Sequence, residues 1–347
     1  MSRRTLVLVG AAAAVIVVLV ASAFIALRWP APSRLAGPRF DPPVACPADV
    51  GCIVRNFVDE DPGPNAKDWH CGRLTYDGHK GTDIRVPDGV AMAKGVPVLA
   101  AAAGTVLRLR DGMDDTSIRA TGAEAVKDRE AGNSLIIDHG DDWETQYGHL
   151  RKGSIVVKPG QTVIAGQPIA LMGLSGNTEF THTHFEVRHD GRPVDPYTGA
   201  EMGTGCGAAN APLWTQRALA ALPYREDAPF DAGFADAPPD QWAARAGAYA
   251  DLALTVDSPA LVFWIDVLGH RAGDRQLMRL LSPDGVPLAK ADDAVKETHI
   301  QWFQFIGAKR PANGWPPGRY HGEYSLVRDI NGQPQTVIAI TRAIDVR

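Results

Sequence analysis

The sequence has no CxxC pair, no heptad pattern, no long internal repeat and no stripe of basic residues. The first absence argues against a cysteine-held zinc cluster. The next two leave out coiled coils and repeat arrays. With a formal net charge of −5 and no basic stripe, there is no electrostatic basis for nucleic acid as a partner. Cysteine is scarce, and none closes the N-terminal apolar segment, so a bacterial lipoprotein anchor is not indicated.

The 347 residues exceed one ordinary core and predict two domains after any leader. An apolar content of 45% excludes wholesale disorder. Glycine (35) and proline (26) are plentiful, which predicts many turns and short strands rather than long helices. Thr5 to Leu27 is uncharged and, at about 23 residues, long enough to span a bilayer as a helix. Ala21-Ser22-Ala23 is also an acceptable signal cleavage site, but the apolar stretch runs past it. Residues 1–28 are therefore expected to be a membrane anchor, the alternative being a cleaved signal and secretion. Either route takes the chain out of the cytoplasm. Cys46, Cys52, Cys71 and Cys206 fit such an oxidising compartment as two disulfides, of which three pairings exist. The preferred one is Cys46–Cys52 with Cys71–Cys206: a short loop, and a tie from the start of the following domain to its end.

Residues 29–50 are Pro-rich and predict an extended stalk. Residues 51–210 break into short Val/Ile/Thr-rich runs cut by glycine turns, which is β-sheet chemistry. Within them Asp111–Gly132 is polar, with a candidate short helix at Gly122–Glu130, and reads as an insertion at the rim of a site. Residues 211–247 predict a short helix and a linker. From 248 to 347 period-two strands bounded by Asp-Gly or Asn-Gly turns predict a C-terminal all-β domain of sandwich type. Its aromatic residues Trp302, Phe303, Phe305, Trp315, Tyr320 and Tyr324 could form a binding platform, but at alternating positions core packing is the expectation.

Three polar stretches carry chemistry. His79-Lys80-Gly81-Thr82-Asp83 sets an imidazole and a carboxylate on a turn entering a strand, donors that suit zinc. In His182-Thr183-His184-Phe185-Glu186, strand alternation sends both histidines and Glu186 to one face and Phe185 and Val187 to the other. Glu186 could orient a histidine. In Thr145-Gln146-Tyr147-Gly148-His149, the same alternation predicts that Thr145, Tyr147 and His149 share a face. Each stretch alone is also compatible with a solvated strand face. The remaining histidines fit no such pattern.

Taken together, HKGTD, YGH and HTHFE, in that order and followed by Asp195-Pro196, resemble the lysostaphin-type, or LytM-like, zinc metallopeptidases. The resemblance covers about His79 to Pro196, leaving out the C-terminal domain, and the insertion after Arg110 is foreign to the family pattern. It implies a Gly-rich antiparallel β scaffold of the duplicated hybrid motif type. It further implies one Zn2+ held by His79, Asp83 and His184, with His149 and His182 as catalytic residues beside its open position. N/O donors at low coordination agree with zinc rather than calcium or magnesium. The implied activity is a metalloendopeptidase cutting peptidoglycan stem peptides on the periplasmic side of the inner membrane. The alternative is a non-catalytic activator or binding protein for other wall hydrolases, as relatives that lose ligands become. All five positions are filled here, which favours the enzyme. The C-terminal domain could engage an envelope protein partner, cover the groove, or support it.

Overall fold

A computed structural model describes residues 37–46, 51–207 and 211–347. The expected anchor, most of the expected stalk, and their membrane contact lie outside these residues. Among the described residues no helix is long and apolar enough to cross a membrane. Residues 38–347 form one compact unit.

The strands are β1 (Ile53–Asn56), β2 (Thr82–Arg85), β3 (Pro97–Leu99), β4 (Gly104–Arg110), β5 (Asn133–Asp138), β6 (Trp143–Leu150), β7 (Thr162–Val163), β8 (Pro168–Leu171), β9 (His182–His189), β10 (Arg192–Val194), β11 (Ala228–Ala235), β12 (Ala260–His270), β13 (Arg275–Leu281), β14 (Pro287–Ala294), β15 (His299–Lys309), β16 (Gly318–Ile330) and β17 (Gln333–Val346). The helices are single turns or little more: α1 (Gly89–Ala93), α2 (Ile118–Thr121), α3 (Gln216–Ala221) and α4 (Gln241–Arg245). The chain is thus mainly β, and every strand ladder among the described residues is antiparallel.

The first sheet runs β1-β2-β9-β6-β5-β4-β7, with β10 on β9. One of its faces is apolar: Ile84, Leu135, Ile137, Phe185 and Val187 are fully buried there. Removing a Phe or Ile side chain of this kind from water contributes roughly 1.5–3 kcal/mol each. Two outlying segments seal this core. Phe40 bridges to Trp214, Val44 bridges to Val98, and the Trp214 ring stacks on Phe185 at 5.2 Å. Residues 38–46 are therefore not free stalk: Phe40 and Val44 are apolar and bury, and that outweighs the extended preference of the prolines around them.

The later strands form two sheets, β11-β12-β15 and β14-β13-β16-β17, sharing an apolar core of Phe263, Ile265, Met278, Leu280, Tyr320 and Tyr324 among others. The aromatics divide: Trp315, Tyr320 and Tyr324 are core, whereas Phe305 is exposed. The stretch 211–247, expected as helix and linker, contains α3 but also β11, which pairs with β12 along its length. Pro229 lacks an N–H donor, and the ladder slips by one residue between Pro229 and Asp231, as an edge strand tolerates. Phe230 and Leu268 enter the same core cluster as Phe40 and Trp214, so the two β modules are packed together.

The expected disulfides are present: Cys46–Cys52, and Cys71–Cys206 across 135 residues of chain. A loop of the second kind contributes about 2–4 kcal/mol of stability.

Candidate active site

β2 and β9 lie side by side with Asp83 directly opposite His184. On β9, Phe185 and Val187 enter the core, while His182, His184 and Glu186 face the other way, as alternation predicts. His79 sits on the turn before β2. That turn is braced by Asp59, whose Oδ2 accepts from Gly78 N at 2.9 Å and whose N donates to the carbonyl of His79 at 2.8 Å. Gly81 lies between turn and strand where nothing larger fits. A Cβ there would stand 2.6 Å from the Phe185 carbonyl oxygen and 2.7 Å from His184 Nε2. Gly81→Ala is therefore expected to push the His184 ring out of place and weaken divalent-metal binding by more than about tenfold. Competition against a chromophoric chelator measures this.

His149 reaches the same face by a different device. Thr145 and Tyr147 point into the core, where the Tyr147 hydroxyl accepts from Ala101 N at 2.8 Å. Strict alternation would bury His149 with them, so the expected common face of the three is corrected. Leu135 pairs with Tyr147 but Asn133 pairs with Leu150, which leaves an extra residue on β6. The bulge is taken up at Gly148–His149, and His149 adopts φ 57°, a left-handed conformation that histidine tolerates better than most residues. This turns its imidazole towards His182, ring centroids 4.6 Å apart, and His184, 6.1 Å.

Three atoms converge at the centre. His79 Nε2 lies 3.1 Å from Asp83 Oδ1 and 3.3 Å from His184 Nδ1, and His184 Nδ1 is 2.8 Å from Asp83 Oδ1. The other side of each group is already engaged. His79 Nδ1 donates to the Phe57 carbonyl at 2.6 Å, Asp83 Oδ2 accepts from Asn56 Nδ2 at 2.7 Å, and His184 Nε2 faces Glu186 Oε2 at 3.6 Å. Glu186 is itself held by Arg188 Nε at 2.7 Å. His79 Nε2 and Asp83 Oδ1 thus present lone pairs into a buried pocket, and His184 Nδ1 joins them once its proton is displaced, an arrangement that suits a cation. Among the described residues this is the one such His/Asp/Glu/Cys group.

The flanking imidazoles are fixed in the same way. His149 Nδ1 donates to the Ser175 carbonyl at 2.7 Å, and His182 Nδ1 donates to that of Phe180 at 2.9 Å. Both carbonyls belong to the loop 173–181. The insertion 111–132 docks on that loop through Ile118 N to Thr178 O and Asn177 N to Glu130 O. Its helical part differs from the expected Gly122–Glu130: α2 ends at Thr121, Gly122 caps it, and a short 3-10 turn follows at Ala123–Val126. His182 Nε2 stands 3.5 Å from Asp83 Oδ1.

Electrostatics follow the packing. Burial alone would raise the Asp83 carboxyl, but the charges of His79 and His182 and hydrogen bonds from His182 and His184 hold it well below the carboxylate range. Burial, then the nearby His182 and His184, push the His149 imidazole well below its usual value, so it stays neutral. Burial also works against charge on His184, but hydrogen bonds to Asp83 and Glu186 prevail and raise it to about 9.

All five residues singled out from sequence are thus brought together. Sequence reasoning passed over Asn56, Ser175 and Phe180, which hold Asp83, His149 and His182. The latter two act through backbone carbonyls, and no side-chain pattern marks them.

Residues 77–196 match the model of peptidase family M23. The match covers about a third of the chain and includes all five of the converging and flanking residues. The chain is 35% identical over 148 residues to a Haemophilus influenzae protein described as an uncharacterized metalloprotease, covering 43% of this chain and 26% of that one. It is 38% identical over 117 residues to the Vibrio cholerae peptidoglycan DD-endopeptidase ShyB, covering 34% and 22%. It is 35% identical over 119 residues to the Escherichia coli murein hydrolase activator NlpD, covering 34% and 25%. The chain thus spans about a quarter of the length of these relatives.

Proposed function

We propose that the chain is a zinc metalloendopeptidase of the cell envelope that hydrolyses peptide cross-links of bacterial peptidoglycan. The observation that carries this reading is the convergence of His79, Asp83 and His184 on one point with two fixed imidazoles beside it. In this reading those three residues hold the metal. Zinc, when bound, supplies the Lewis acidity that polarises a scissile carbonyl and acidifies water. The neutral His149 takes up a proton through Nε2, the nitrogen left free by Ser175. In its doubly protonated form, His182 donates Nδ1–H to the Phe180 carbonyl and Nε2–H to the oxygen on which negative charge develops. Glu186 keeps His184 in the orientation that presents Nδ1. Peptidoglycan and the envelope address rest on the likeness to ShyB and on the two disulfides, and the N-terminal apolar segment supplies the membrane attachment.

Likeness to NlpD favours a second reading, a non-catalytic activator of other wall hydrolases. The complete set of five residues favours catalysis over it. The deciding experiment incubates the zinc-loaded protein with defined cross-linked muropeptides and follows the products by mass spectrometry. Cleavage that chelator abolishes is expected. Intact muropeptides at full zinc occupancy would leave the activator reading in its place.

Zinc affinity should depend on pH in a set direction. The free pocket carries a proton on His184 below about 9, and binding must displace it. Affinity is therefore expected to rise about tenfold per pH unit between pH 6 and 9 and then flatten. Isothermal titration in buffers of different ionisation enthalpy would count the proton released. A flat profile over that range would contradict the assignment.

A further inference from the structure

We infer that the C-terminal β module is part of the metal site: a relay of oriented hydrogen bonds from Asp266 and Gln301, through Arg55 and Asn56, sets the position of Asp83. The inference rests on the zinc reading above.

The chain of contacts is continuous. On α4, Arg245 donates through Nε and Nη2 to the two oxygens of Asp266 on β12, at 2.8 and 3.2 Å. Gln301 on β15 donates Nε2 to both Asp266 oxygens at 2.8 Å. Its Oε1 accepts from Arg55 Nε at 3.4 Å. Arg55 Nη1 donates to Asn56 Oδ1 at 2.7 Å, and Asn56 Nδ2 donates to Asp83 Oδ2 at 2.7 Å. Arg245, Asp266 and Gln301 belong to the C-terminal module; Arg55, Asn56 and Asp83 belong to β1 and β2.

Polarity runs one way along it. A carboxylate can only accept and a guanidinium can only donate. Asp266 forces the Gln301 amide to present its oxygen to Arg55. Arg55 in turn forces the Asn56 amide to present its nitrogen to Asp83. Turning either amide over would set donor against donor and acceptor against acceptor at once. The amide orientations are therefore determined by charged groups at both ends and in the middle. Asp266 and Asn56 are buried, so water cannot readily substitute.

The consequence falls on the metal ligand. With Oδ2 engaged by Asn56, Asp83 is left with Oδ1 alone for the pocket, where His79 and His184 converge. Arg55 stands between two carboxylates, one at each end of the relay, so its charge is compensated in a largely buried setting. Packing agrees: Phe230 of β11 lies over the Arg85 guanidinium at 4.1 Å, and Arg85 stands opposite His182 in the ladder. The module therefore abuts the strand that carries Asp83. It supports the site rather than covering it as a removable lid.

The test is a double-mutant cycle on the full chain, read as zinc affinity by chelator competition, with circular dichroism to verify folding. Asn56→Leu and Gln301→Leu remove the relay at its near and far links without changing side-chain volume greatly. Each is expected to weaken zinc binding, Asn56→Leu by about 10–100-fold and Gln301→Leu by a smaller factor. The double variant should be no weaker than Asn56→Leu alone, because the far link acts only through the near one. Unchanged affinity in a folded Gln301→Leu, or losses that simply multiply in the double variant, overturns the relay. Wild-type protein that binds no zinc overturns the metallopeptidase reading, and the relay with it.

Discussion

His184→Ala should leave a folded protein that holds no zinc at concentrations where the wild type is saturated. His184 contributes one of three converging atoms, and it stands opposite another, Asp83, in the β2–β9 ladder. Loss of a residue that merely supports a ligand costs about 10–100-fold in affinity, so loss of the ligand itself should exceed that. Folding should survive because His184 is on the polar face of β9, and the apolar face, Phe185 and Val187, is untouched. The removal also leaves Asp83 buried with one imidazole fewer to balance it, so the melting temperature of the metal-free variant should fall. Elemental analysis of dialysed protein is the measurement. Stoichiometric zinc in His184→Ala would place the metal elsewhere.

The second large effect separates binding from turnover. His149→Ala and His182→Ala should each retain zinc yet lose about 10²–10⁴-fold in kcat, the usual contribution of a positioned proton-transfer group or oxyanion donor. Neither is part of the converging triad, and both are held from behind by carbonyls of the loop 173–181. KM should change little if the loss is confined to the transition state. The double variant should lose less than the product of the single losses, since the rings stand 4.6 Å apart and act on one reacting centre. Zinc content equal to wild type together with unaltered kcat in either single variant would remove that residue from the chemistry.

Some of this geometry was legible in the sequence. Alternation in HTHFE separates His182, His184 and Glu186 from Phe185 and Val187, because an unbulged strand with one apolar face leaves no other choice. HKGTD was legible as a turn into a strand, with the glycine explained only once the crowding of Phe185 and His184 is seen. The same alternation misplaced Tyr147 relative to His149, because one extra residue on β6 inverts the facing of all that follows. Asn56 was invisible because its importance comes from Asp83, 27 positions away, and from Arg55 beside it. Phe40 and Val44 were hidden by the prolines around them, and β11 by Pro229, Asp231 and Gly233, residues that read as loop but sit acceptably in a paired edge strand.

The Cys71–Cys206 bridge has a bearing on how the protein must be made. It joins the loop of Asp68 and Cys71, just upstream of the turn bearing His79, to the chain that leaves the sheet after β10. Backbone bonds from Gly203 N to Asp59 O and from Gly207 N to Trp69 O lie along the same seam. Material synthesised where thiols stay reduced would hold this seam by non-covalent contacts only, those bonds and the stacking of Trp69 on Tyr197 among them, and the brace behind His79 would loosen first. Preparations from oxidising and reducing hosts should therefore differ in metal retention before they differ in overall fold.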